Sequence, residues 1–261
     1  MLLVFDLDKT IVTDDYRLPK TIQEAIARAK LAGHVIAVLT GRGKAAALPY
    51  LDQLRLQGPY GVNNGALVIG SQGEILKRIR IPAIDVQQLV RFAELRKIEY
   101  CCMLDDILYV GNPDYEELQS EWIWTHDENR QVITLDPKIS IEADKLIFGG
   151  VAASEQLGKE AAMRYPEYVV YEWSEEYVEV TGSNADKGSA LELISCHLGF
   201  EQRDVIAFGD GVNDLTMLAW ANHGIAVGPD ADTKLVDLAD EWIAAPEHNG
   251  VADWLELNLL N

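Results

Sequence analysis

Short apolar runs, each ending abruptly at a polar or glycine-bearing turn, set the tightest limit on how this chain can fold. Residues 1–5 carry no polar side chain and lead into Asp6-Leu7-Asp8-Lys9-Thr10. Residues 35–39 lead into Thr40-Gly41-Arg42-Gly43, and residues 205–208 lead into Gly209-Asp210-Gly211-Val212-Asn213-Asp214. Runs this short, bounded by turns, read as strands buried on both faces. Helical patterns separate them. Pro19 opens a segment with Ile22, Ala25, Ile26 and Ala29 on one face and Gly33 as its stop, residues 44–48 are Ala-rich, and residues 187–198 run up to Gly199. Alternation of strand and helix predicts a parallel sheet covered on both faces, with ligands bound beyond the carboxyl ends of the strands. Asp6 and Thr40, distant in sequence, then meet at one edge.

The middle of the chain reads differently. A hairpin is expected around Ser71-Gln72-Gly73, flanked by residues 66–69 and 75–81. From Pro82 a helical stretch with Val86, Leu89, Val90 and Ala93 gives way to strands at 100–103, 107–110, 145–148, 168–171 and 177–180, with a helix at 154–164. After Asp186 the first texture returns, ending in a strand at 225–227 and helices at 233–238 and 251–260. The expectation is an α/β protein: a Rossmann-like parallel core formed by residues 1–81 and 183–261, split by an inserted α+β unit at 82–182.

Net charge bounds the partners. With 22 Lys and Arg against 42 Asp and Glu, the formal charge of −20 opposes nucleic-acid backbones and anionic membrane surfaces. Cys101, Cys102 and Cys196 show no CxxC spacing, so neither a disulfide framework nor a zinc site is indicated, and a reducing cytoplasm fits. The first apolar run is too short for a signal-peptide core, and no stretch reaches the length of a membrane span. Residues 41–46 fit G-x-G-x-x-A, but residues 61–65 lack the carboxylate a dinucleotide site would need about 20 positions on. Neither acidic cluster is a calcium loop, because Ile11 and Leu215 stand where that loop needs Gly.

Asp6 and Asp8 carry the chemistry that the pattern suggests. If the chain stays extended past the first strand, residues two apart share a side, so both carboxylates converge on one point. Such a pair repels unless a metal or a phosphate-binding cation relieves it. Together, DLDKT at residues 6–10 (within 4–10), LTGR at 39–42, Asp186-Lys187-Gly188 at a helix start and GDGVND at 209–214 resemble the four motifs of the haloacid dehalogenase (HAD) superfamily. Asn64-Gly65-Ala66, the insert, and Asn249-Gly250-Val251-Ala252 are similar to its Cof-type phosphatases with a type IIB cap.

That resemblance implies that Asp6 attacks phosphorus to give an aspartyl-phosphate, while Asp8 protonates the leaving oxygen and then takes a proton from water. It implies Mg²⁺ held by the Asp6 carboxylate, the Asp8 main-chain carbonyl and Asp210, an oxygen set of the kind Mg²⁺ prefers. Thr40, Gly41 and Lys187 would bind the phosphate, Lys187 also neutralising the nucleophile, with Arg42 and Asn64 beside them. Arg42 could equally serve a structural salt bridge. Thr10, Asn213 and Asp214 would support the ligands. One departure is Lys9, where the family usually has Gly; a positive φ there would strain a lysine. The implied partner is a small phosphorylated metabolite. A phosphomutase and a non-catalytic metal-binding regulatory protein are the competing readings.

Overall fold

The computed structural model describes residues 1–111, 131–136, 138–149, 154–172, 177–229 and 231–260. They form two compact units, one of residues 1–42, 47–78 and 186 onward, the other of residues 43–46 and 79–185.

Chain order gives β1 (Leu2–Phe5), α1 (Lys20–Leu31), β2 (Val35–Leu39), α2 (Lys44–Gln53), β3 (Tyr60–Val62), β4 (Leu67–Ile69) and β5 (Ile75–Arg78). Next come α3 (Ala83–Arg96), β6 (Glu99–Leu104), β7 (Ile107–Val110), β8 (Val132–Thr134), β9 (Lys145–Gly149), α4 (Ser154–Arg164), β10 (Val169–Glu172) and β11 (Tyr177–Thr181). The chain returns through α5 (Lys187–Leu198), β12 (Val205–Gly209), α6 (Leu215–Trp220), β13 (His223–Val227), α7 (Thr233–Leu238), β14 (Glu241–Ile243) and α8 (Gly250–Leu259).

The first unit is an α/β layer structure around a sheet of order β14-β13-β12-β1-β2-β3-β4-β5. Strands from β14 to β3 are parallel, and β4 and β5 add an antiparallel edge. Side chains alternate across β1. Leu3 and Phe5 join one core with Ile22, Ile26, Leu51 and Trp254, whereas Leu2 and Val4 join a second with Leu191, Ile194 and Met217. Burial on both faces explains why these strands read as unbroken apolar runs. Register aligns Phe5 with Phe208 and Val38, so the residues that follow each strand emerge at the same edge. Stacking of the Phe5 and Phe208 rings, 4.8 Å between centroids, fixes that end of the pair.

The hairpin forms where expected, but its second strand stops at Arg78, and residues 79–81 belong to the other unit. Helix α2 is longer than its Ala-rich start suggests and continues through Pro49 to Gln53. Proline removes one backbone donor from a helix and costs about 3 kcal/mol in its interior. Ala47, Tyr50, Leu51 and Leu54 are buried along the same helix and its end, and burial of large side chains at about 1.5–3 kcal/mol each exceeds that cost. Strands β3, β8 and β14, of three residues each, were not anticipated.

In the second unit a six-stranded sheet of order β10-β11-β9-β6-β7-β8 has its own core. Val86, Leu89, Val90 and Ala93 of α3 and Ala161 of α4 pack with Tyr100, Cys102, Leu146, Phe148, Val178 and Val180 of the sheet. Among the described residues no helix is long and apolar enough to cross a membrane.

Candidate active site

All the candidate site residues named from the sequence lie in the first unit, around the carboxyl ends of β1, β2, β3 and β12 and the start of α5. Asp6 continues the β1 ladder: its amide donates to the Phe208 carbonyl at 3.0 Å, which ties the loop after β1 to the strand that delivers Asp210. The chain then turns sharply. Lys9 lies in the left-handed region with φ of 55°, so the strain expected of a non-glycine residue at this position is present.

Lys187 is the centre of the arrangement. Fully buried at the first turn of α5, it donates from Nζ to Asp6 Oδ1 and to Asp214 Oδ1, both at 2.6 Å. Asp186 caps that helix by accepting from the Ser189 amide at 2.9 Å, which sets where α5 begins and therefore where Lys187 points. Asp214 Oδ2 accepts from the amides of Asp210 and Gly211 at 3.1 and 3.0 Å. Both oxygens of Asp214 are thus engaged within the protein. Gly209 makes this possible, since a Cβ there would lie 2.5 Å from the Asp214 carboxyl carbon.

Asp210 Oδ1 accepts from the Thr10 hydroxyl at 3.1 Å, linking the first motif to the last across 200 positions. Charge in this cluster is unbalanced. Burial lifts the Asp6 carboxyl well above the usual range; Lys187 opposes this, while Asp214, Asp210 and Asp8 add to it. Asp210 is pushed up to about 7 by burial and then by Asp214. Burial works against the Lys187 ammonium, but Asp214 and Asp6 outweigh it and hold the lysine charged. Asp6, Asp210 and Asp214 each present a carboxylate oxygen within 4.8 Å of the others. Hard oxygen donors, excess negative charge and one buried ammonium fit a small divalent cation such as Mg²⁺. Because Asp214 is already spent on Lys187 and two amides, Asp6 and Asp210 are the members suited to hold it.

Asp8 does not share this arrangement. Its oxygens accept from Arg42, Oδ2 from Nε at 2.8 Å and Oδ1 from Nη2 at 2.5 Å. Arg42 thus forms an ion pair with Asp8. Thr40, fully buried, accepts at Oγ1 from the Arg42 amide at 3.1 Å, and its carbonyl accepts from the Asn64 amide at 3.0 Å. Asn64 Oδ1 in turn accepts from Asn213 Nδ2 at 2.8 Å. Gly41 fits beneath that bond, where a Cβ would lie 3.1 Å from Asn64 Oδ1.

Residues that the sequence did not flag complete the site. Asn63 donates its amide to the Arg42 carbonyl at 2.8 Å, and Asn63 and Asn64 both adopt positive φ, 50° and 54°. Asn tolerates that region, so the Asn-Asn-Gly run was an available signal. Tyr16 and Tyr50 flank the Arg42 guanidinium. No local pattern announces them.

Comparison with known proteins follows the same lines. A family model described as haloacid dehalogenase-like hydrolase matches residues 3–255. The pyridoxal phosphate phosphatase YbhA of Escherichia coli (strain K12) is 25% identical over 269 residues, covering 99% of this chain and 98% of that protein. The 5-amino-6-(5-phospho-D-ribitylamino)uracil phosphatase YitU of Bacillus subtilis (strain 168) is 27% identical, covering 98% and 96%. A solved HAD subclass IIB sugar phosphatase, 23% identical, matches with a TM-score of 0.83 over 98% of each chain, a likeness of fold.

Proposed function

This chain belongs to the haloacid dehalogenase-like hydrolases, and from that membership we propose that it hydrolyses phosphate monoesters of small metabolites, with Asp6 as nucleophile and Mg²⁺ as cofactor. The observation that carries the reading is the buried Lys187 bridge between Asp6 and Asp214, with Asp210 beside it. It supplies what an in-line attack on phosphorus needs from the protein: an aimed carboxylate, fixed positive charge and room for a cation.

In this mechanism Asp6 forms a bond to phosphorus as the ester oxygen leaves, and Asp8 gives that oxygen a proton. Water then attacks the aspartyl-phosphate, Asp8 takes its proton, and Asp6 is regenerated. Lys187 offsets charge on Asp6 and the phosphoryl oxygens, and the Thr40 and Gly41 loop supplies donors around them. Mg²⁺, held by Asp6 and Asp210, would supply further positive charge to the same oxygens. The second unit, residues 79–185, would act as the cap that selects the leaving group. Support for a small-metabolite substrate comes from the two curated relatives, both named as phosphatases of such compounds.

A panel of phosphorylated metabolites assayed for free phosphate with Mg²⁺ tests the reading. Activity should vanish in Asp6→Asn and in excess chelator, with the fold intact by circular dichroism. Full activity in either case would sink the mechanism, and isomer formation without free phosphate would favour a mutase.

A further inference from the structure

We propose that Arg42 is a positioning residue that fixes the Asp8 carboxylate by both oxygens and so sets the direction in which Asp8 gives and takes its proton. This rests on the phosphatase reading above and assigns a role that the reading leaves open.

Asp6 and Asp8 are two residues apart, yet each has its own cation. Lys187 serves Asp6, and Arg42 serves Asp8. The Arg42 contact is side-on, through Nε and Nη2, which a lysine ammonium cannot reproduce. The guanidinium is itself held. Its Cζ lies 4.7 Å from the Tyr50 ring centroid and 5.6 Å from that of Tyr16, and the Tyr50 hydroxyl donates to the Tyr16 carbonyl at 3.0 Å. At the main chain the Arg42 amide donates to Thr40 Oγ1 and its carbonyl accepts from Asn63. With a side chain only 9% exposed, Arg42 is clamped at both ends rather than displayed for a ligand.

Such a clamp is compatible with proton transfer. Each carboxylate oxygen has more than one lone pair, so one can accept from Arg42 while another carries the proton. In phosphoryl transfer the Asp6–phosphorus bond forms, the bond from phosphorus to the ester oxygen breaks, and the Asp8 proton goes to that oxygen. In hydrolysis the bond from water oxygen to phosphorus forms, the Asp6–phosphorus bond breaks with its electron pair returning to Asp6, and the water proton returns to Asp8. A misplacement of about 1 Å in a reacting group can cost about a hundredfold, which is the scale on which a fixed fork matters.

The test is a double-mutant cycle between Arg42→Ala and Asp8→Asn, with Arg42→Lys as the variant that keeps the charge if the alanine variant does not fold. Rapid-quench measurements follow formation and breakdown of the phosphorylated enzyme with 4-nitrophenyl phosphate and with an alkyl phosphate. Both Arg42 variants should slow breakdown by about tenfold or more, and should slow formation from the alkyl ester more than from the nitrophenyl ester, whose leaving group needs little protonation. KM should change little. In the Asp8→Asn background the Arg42 substitution should have no further effect on either step. An equal loss on both esters, a loss confined to KM, or the same loss with and without Asp8 would overturn the inference while leaving the phosphatase reading intact. A wild-type chain that forms no phosphorylated enzyme and releases no phosphate would overturn both.

Discussion

Lys9 occupies a left-handed turn with φ of 55°, and its side chain is 59% exposed with a loose 3.9 Å ion pair to Asp14. That conformation costs an L-residue about 1–2 kcal/mol, whereas a glycine would add about 0.4–1 kcal/mol of unfolded-chain freedom. The exposed ion pair is worth at most about 1 kcal/mol. Lys9→Gly should therefore raise stability slightly, by about 0.5 kcal/mol, read as a higher urea midpoint at constant slope; a lower midpoint would show that the lysine is held by more than its turn. Lys187 stands at the opposite extreme. Removing its charge in Lys187→Met leaves Asp6 and Asp214 buried together, and stripping one partner from a buried ionic cluster costs about 3–5 kcal/mol. Urea unfolding should show a loss on that scale, and a change under about 1 kcal/mol would mean that the carboxylates are relieved by something else. Lys187 was singled out by its motif, but its bridge to Asp214 was not, because 27 positions and strand β12 separate the two.

Helix α5 and strand β6 place cysteines in contrasting surroundings. Cys102 is fully buried beneath the helices of the second unit, and burial raises its thiol well above the ordinary value, whereas Cys196 is exposed in the last turns of α5. A thiolate-directed reagent should modify Cys196 in the native protein and reach Cys102 only on unfolding. Peptide mapping checks this, and rapid native labelling of Cys102 would contradict the packing of β6 against α3. At this scale the sequence spoke clearly where a period could be counted. Helix α1 buries the four residues its spacing indicated. It was silent at β3, a three-residue strand with Gly61 at its centre, and where tertiary burial carries a helix through a proline, as in α2.

Across the whole molecule, two units with separate cores share one chain, which passes between them around residues 43–46 and at residues 79 and 185. Within the first unit Lys77 Nζ donates to Ser189 Oγ at 2.9 Å, so the ends left by excising 79–185 are close enough for a short linker. A chain carrying a Gly/Ser linker in place of those residues should still hydrolyse a small aryl phosphate but discriminate poorly among phosphorylated metabolites. Undiminished selectivity, measured as the spread of kcat/KM across a substrate panel, would place recognition in the first unit instead. Sequence alone determined the α/β class and the family, because apolar runs, helical spacing and motifs at strand ends are local signals, and local signals survive without coordinates. Tertiary structure alone decided that Arg42 meets Asp8 through both oxygens and that Lys187 also meets Asp214. Asp6 and Asp8 lie two apart in one motif, and the parallel register of β1 with β2 and β12 brings Arg42 to Asp8 and, together with α5, Lys187 to Asp6. Pairing between charges is set by distance in space, and distance in space is what chain order does not contain.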